Sequence, residues 1–108
     1  MKEIKQIRNF TDLLSTPQIT EEIEIRSSFG ICALHGGGQE RATEAVARDV
    51  AKSTDSSYYA VLQPEGSRLH LSSKYFDPKQ SLKLDQFLKN IDSVISIHGY
   101  GKEDDFWA

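Results

Sequence analysis

The chain has 108 residues, the length of one domain, and two separate cores would not fit in it. Its 13 basic and 16 acidic residues leave a net charge of −3, which argues against a duplex nucleic-acid binder and against a polybasic helix lying on a membrane. The longest unbroken apolar run not counting glycine, Tyr58 to Leu62, is far too short to span a bilayer, and no apolar leader follows Met1 to Phe10. A cytoplasmic chain is expected, with the single Cys32 reduced because it has no internal partner.

Lys2 to Pro17 is polar and reads as loop with one short helix capped by Thr11. Glu21 to Arg26 alternates acidic and apolar residues, which predicts a half-buried strand with Ile23 and Ile25 on one face. Phe29 to Leu34, counting Gly30, is an apolar run that leads into His35 and three glycines, the pattern of a strand buried on both faces. From Glu40 to Lys52 the period becomes helical, with Ala42, Ala45, Val46 and Val50 as the expected buried stripe. Tyr58 to Leu62 is aromatic and β-branched and reads as a strand. Pro64, Glu65 and Gly66 then supply turn chemistry.

Arg68 to Ser72 predicts a short strand. Asp77 and Pro78 look like a helix cap and first helical residue, with Gln80 placed to complete a capping box. Leu84, Phe87, Leu88 and Ile91 form the predicted apolar stripe of that helix, and Ser93 to Ile97 a last strand that ends at His98. The order β-β-α-β-β-α-β implies one α/β domain over 1–108, with a largely parallel or mixed sheet flanked by helices.

Two loops follow the carboxyl ends of buried strands, where ligands collect in open α/β sheets. One is His35-Gly36-Gly37-Gly38-Gln39-Glu40, and the other is His98-Gly99-Tyr100-Gly101. A glycine turn lets a strand-end His and a helix-opening Glu point to one spot. Two imidazoles and one carboxylate, from His35, Glu40 and His98, would make the open ligand set of a hydrolytic zinc site. Three other readings stand beside it: a plain flexible turn, satisfied strand-end histidines, and a backbone anion nest, which Glu40 disfavours by its charge. His-Gly-Gly-Gly also occurs in esterase oxyanion loops, but the Gly-x-Ser-x-Gly elbow they need is missing.

The run from His35 to Glu40, with Thr43 and Glu44 after it, resembles the His-Gly-Gly-Gly-x-Glu signature of the phage poly-γ-glutamate hydrolase family. Leu69-His70-Leu71-Ser72-Ser73 with Phe76-Asp77 looks like that family's second block, and Ser96-Ile97-His98-Gly99 like its third. The resemblance implies a zinc-carboxypeptidase-like open sandwich, related to the phosphorylase/hydrolase-like folds. It further implies one Zn2+ on His35, Glu40 and His98, and hydrolysis of poly-γ-glutamate or related γ-glutamyl amides by metal-activated water. For a phage-derived member it also implies release by lysis.

His70 falls where the resemblance places the active-site wall. Arg41, Arg68 and Lys74 are cationic candidates for an anionic substrate, by nearness to the blocks. Glu44 lies one turn beyond Glu40 and is either an orienting carboxylate or a solvated first-turn residue. Family members are longer, and no residue here matches their general base; Glu65 and the acidic run Glu103, Asp104, Asp105 are weak substitutes. Phe106 and Trp107 close the chain as candidates for contact with further structure. The competing class is a truncated, non-catalytic metal-binding or interaction module of the same fold.

Overall fold

Four strands and three helices are seen in the computed structural model, which describes residues 7–37, 43–64, 71 and 73–98. Helix α1 (Phe10–Leu14) leads to strands β1 (Thr20–Glu24) and β2 (Phe29–Gly37). Helix α2 (Thr43–Ser53), strand β3 (Ser57–Gln63), helix α3 (Leu82–Lys89) and strand β4 (Ser93–Ser96) follow, with two 3₁₀ turns, Ser73–Tyr75 and Pro78–Gln80, ahead of α3.

The sheet runs in the order β1-β3-β2-β4. β1 is antiparallel to β3, while β2 is parallel to both β3 and β4. The sheet is therefore mixed and mostly parallel, as expected for this α/β sequence. Of the expected Arg68–Ser72 strand, only Leu71 lies among the described residues, and it is in no strand.

Side chains alternate across the sheet and build two apolar layers. Ile31 and Ala33 of β2, with Tyr58 and Ala60 of β3, pack under Ala47 and Ala51 of α2. Cys32, Tyr59 and Val61 face the other way, onto Phe87 and Leu84 of α3 and Phe10 and Leu13 of α1. Phe87 stacks on Tyr59 with ring centroids 5.5 Å apart at 27°, an arrangement worth about 0.5–1.5 kcal/mol beyond area burial.

Several local expectations are corrected. α2 buries Thr43, Ala47 and Ala51 rather than Val46 and Val50, which stay exposed. The small residues let the helix approach the sheet closely and leave the valines on its flank. α1 is capped by Asn9, whose side chain accepts the Asp12 amide, and not by Thr11. Asp77 does cap, but over the Pro78–Gln80 turn, and Ser81 opens α3 by accepting the Leu84 amide. Gln80 forms no capping box and instead accepts the Thr11 amide at 2.9 Å, tying α1 to the turn. Leu88 is more exposed than its neighbours in the stripe, Leu84 and Phe87.

α2 ends without glycine. Asp55 takes φ 56°, Ser56 N–H reaches Ala51 O at 2.7 Å and Asp55 N–H reaches Lys52 O. That is a Schellman stop with aspartate in the left-handed position.

The β1 carboxylates clamp both layers. Glu21 accepts the hydroxyls of Tyr59 and Ser81 on the α3 side, while Glu22 accepts Tyr58 Oη at 2.7 Å and pairs with Arg48 at 3.2 Å on the α2 side. Burial, reinforced by these carboxylates, pushes both tyrosine phenols well above their ordinary range.

Candidate functional site

Strands β3 and β4 lie on opposite sides of β2, and α2 and α3 on opposite faces of the sheet. The chain thus changes winding direction at β2, and the crevice at its carboxyl end is where such sheets bind ligands. Cys32 of β2 is level with Ser96 of β4. His35 and His98, three and two residues further on, reach the same end of adjacent parallel strands.

Simple alternation would put His35 with Ile31 and Ala33, on the α2 face. A bulge prevents this. Ala33 is opposite Ala60, but Gly36 is opposite Leu62, so Leu34 and His35 share the space facing Val61. A bulge re-aims a side chain in this way. The imidazole turns to the α3 face, where it meets the Phe76 ring edge-on at 5.6 Å and the His98 ring at 6.2 Å.

His35 is buried, and its Nε2 lies 2.8 Å from the Leu71 carbonyl. A carbonyl only accepts, so Nε2 carries the hydrogen, and in the neutral ring the lone pair is on the equally buried Nδ1. Leu71 and Phe76 come from the second sequence block. That block therefore supplies a carbonyl that sets the tautomer and a ring that fixes the tilt, roles that no side-chain pattern announces.

His98 is exposed, with Nε2 3.3 Å from Ser96 Oγ. Beside it opens a cleft of about 300 Å³ lined by Leu34, Phe76, Leu84, Phe87 and Val94 among others. Ser96 also hydrogen-bonds the Cys32 thiol, whose pKa burial pushes up despite that bond. Cys32 is a buried core thiol, as its place in an apolar strand suggests.

Of the expected ligand trio, the structure brings together His35 and His98, while Glu40 lies outside the described residues, as do His70, Arg41, Arg68, Glu65 and the acidic run. Among the described residues no group of three or more His, Cys, Asp or Glu is gathered as for a metal ion. Glu44 is half-buried in the first turn of α2, where a negative charge suits the helix dipole. Lys74 sits over the Tyr75 ring at 5.2 Å.

The domain is of the α/β class, a four-stranded mixed sheet with a histidine pair at the carboxyl ends of neighbouring strands. A sequence model of the poly-gamma-glutamate hydrolase family matches residues 2–107, and the chain belongs to that family. It is similar to the UPF0714 protein YndL of Bacillus subtilis (strain 168), 34% identical over 104 residues, covering 95% of this chain and 39% of that protein. It is also similar to the SPbeta prophage-derived UPF0714 protein YoqZ of the same organism, 44% identical over 71 residues, 65% of this chain and 25% of that protein. The matched stretch thus spans about two-fifths and one-quarter of these relatives. No solved structure matches.

Proposed function

We propose that this chain carries the ligand-bearing part of a zinc-dependent poly-γ-glutamate hydrolase, in a zinc-carboxypeptidase-like open sandwich. The observation that supports it best is the bulge that turns His35 out of strand alternation toward His98. The Leu71 carbonyl adds to it. Metal-binding histidines characteristically donate their second ring nitrogen to such a group, which fixes the tautomer and raises the basicity of the ligating nitrogen.

The ring centroids are 6.2 Å apart; on one tetrahedral zinc with Zn–N of about 2.0–2.1 Å they would be roughly 5 Å apart, so the two rings would close by about 1 Å to share an ion. His35, Glu40 and His98 would hold the zinc. When bound, it supplies polarisation of the scissile carbonyl and acidification of water.

Leu71 O and the Phe76 edge hold the His35 ring in one orientation. His70 would line the wall near the scissile amide, and Arg41, Arg68 and Lys74 would attract the polymer's carboxylates. The base that takes the water's proton is assigned to none of these residues.

One observation favours a second reading, a non-catalytic metal-binding or interaction module: the cleft beside His98 is largely apolar, poorly suited to a polyanion. Incubation with poly-γ-glutamate, with and without a chelator, separates the two. The hydrolase reading expects polymer shortening that the chelator abolishes. Metal bound at one equivalent with no chelator-sensitive shortening supports the module instead.

A further inference from the structure

Each histidine at the strand ends has one ring nitrogen engaged by the protein. For His35 it is Nε2, held by the Leu71 carbonyl at 2.8 Å. For His98 it is again Nε2, 3.3 Å from the Ser96 hydroxyl. A backbone carbonyl cannot be removed by substitution, whereas a serine hydroxyl can.

Strand geometry puts Ser96 in this place. Val94, Ser96 and His98 alternate onto the face toward α3, and all three line the cleft there. Ile97 N–H donates to Cys32 O at 2.8 Å, so the backbone between Ser96 and His98 is pinned to β2. The cross-strand partner of Ser96 is Cys32, and the Cys32 thiol is hydrogen-bonded to the same hydroxyl. Ser96 Oγ thus stands between a buried sulfur and an imidazole.

The direction of these bonds follows from what each group can give. A serine hydroxyl has one hydrogen to donate and two lone pairs. Burial pushes the Cys32 thiol up, and the Ser96 bond pulls it partly back, which is the sense of a hydrogen bond donated to sulfur. The Ser96 hydrogen is therefore spent on Cys32, and Oγ is left to accept. His98 Nε2 then carries the ring hydrogen, and in the neutral ring the lone pair is on Nδ1.

We propose that Ser96 is the positioning residue of His98: its hydroxyl accepts the Nε2 hydrogen, fixes the ring as the Nε2–H tautomer and leaves Nδ1 as the ligating nitrogen. Ser96 thereby does for His98 what the Leu71 carbonyl does for His35. Cys32, held in the core, keeps the hydroxyl turned the right way. This role rests on the zinc reading above, in which His98 is a ligand, but the tautomer that Ser96 sets belongs to the metal-free chain.

Two measurements on the 108-residue chain test it. Two-bond 1H–15N spectra of the metal-free protein, taken at about pH 8.5, well above the ordinary imidazole pKa of about 6.5, read the ring tautomers. His98 is expected in the Nε2–H form alone in the parent and in Ser96→Thr, and as a mixture of both forms in Ser96→Ala. A merely structural role for Ser96 would not move that ratio. Zinc affinity, by competition with a chromophoric chelator, is expected to fall about tenfold in Ser96→Ala and to return in Ser96→Thr, with native circular dichroism throughout. About tenfold is the low end for losing the partner of a metal-bound histidine, because a hydroxyl accepts more weakly than a carboxylate. A parent His98 with its hydrogen on Nδ1 overturns the role of Ser96, as does a Ser96→Ala chain with the parent's tautomer ratio or the parent's zinc affinity. No zinc on the parent, while its His98 tautomer still depends on Ser96, means that the zinc reading has failed and the Ser96 bond has not.

Discussion

Gly30 sits in β2, the strand that delivers His35, where a side chain would point into the α3 layer. A Cβ built there lies 2.8 Å from Ile91 Cδ1, 2.8 Å from Phe87 Cζ and 3.1 Å from Phe87 Cε1. The Ile91 methyl is the end of a flexible side chain and can swing away. The Phe87 ring is 1% exposed and stacked on Tyr59, so it moves only by disturbing that stack. Overpacking of this kind costs about 1–3 kcal/mol. Replacing a strand glycine returns about 0.5–1 kcal/mol of backbone entropy. Gly30→Ala should therefore destabilise by about 0.5–2 kcal/mol, lowering Tm by roughly 2–8 °C for a domain of this size. Urea unfolding followed by far-ultraviolet circular dichroism should show a lower midpoint at unchanged slope. In a Phe87→Leu background the penalty should shrink, because the two ring atoms that clash are gone and only the movable Ile91 methyl remains. A Gly30→Ala protein as stable as its parent, or more so, would refute the packing described for α3 on β2.

Glu21→Ala removes the acceptor of the buried Tyr59 hydroxyl and of the Ser81 hydroxyl that opens α3; a loss of about 1–3 kcal/mol is expected in the same urea assay. Asp55→Gly relieves a left-handed residue at the α2 stop and should stabilise by up to about 1 kcal/mol, seen as a higher Tm. The folded state holds the Tyr58 and Tyr59 protons to higher pH than the unfolded chain does. Their contribution is thus complete below the unfolded pKa of about 10 and is lost as pH rises beyond it, by about 1.4 kcal/mol per pH unit for each phenol. Near-ultraviolet absorbance should show these two tyrosinates forming only as circular dichroism reports unfolding. The Cys32 thiol, buried and raised, should react with an alkylating agent far more slowly in the folded protein than in urea.

What could be read from the sequence was what depends on runs of residues. The aromatic and β-branched run Tyr58 to Leu62 reads as a strand, and β3 occupies Ser57–Gln63 between two neighbours. His35 and His98 were placed at strand ends by the apolar runs before them, and the structure brings their rings together. What escaped depends on single-residue register. The buried face of α2 is not legible because valine outranks alanine in any hydrophobic count, whereas helix-to-sheet distance favours alanine. The bulge that re-aims His35 consumes one residue, and no composition signal marks it. Leu71 acts through its carbonyl, which every residue possesses. The α2 stop was hidden because Asp55 fills a place usually marked by glycine.

His35, Glu40 and His98 are proposed to hold one zinc ion. Equilibrium dialysis of the purified chain against zinc at neutral pH, with the bound metal quantified, measures this directly. One equivalent is expected for the parent protein, with a loss of about tenfold or more in affinity for each of His35→Ala, His98→Ala and Glu40→Gln while circular dichroism stays native. No stoichiometric zinc, or zinc bound equally well by all three substituted proteins, would contradict it.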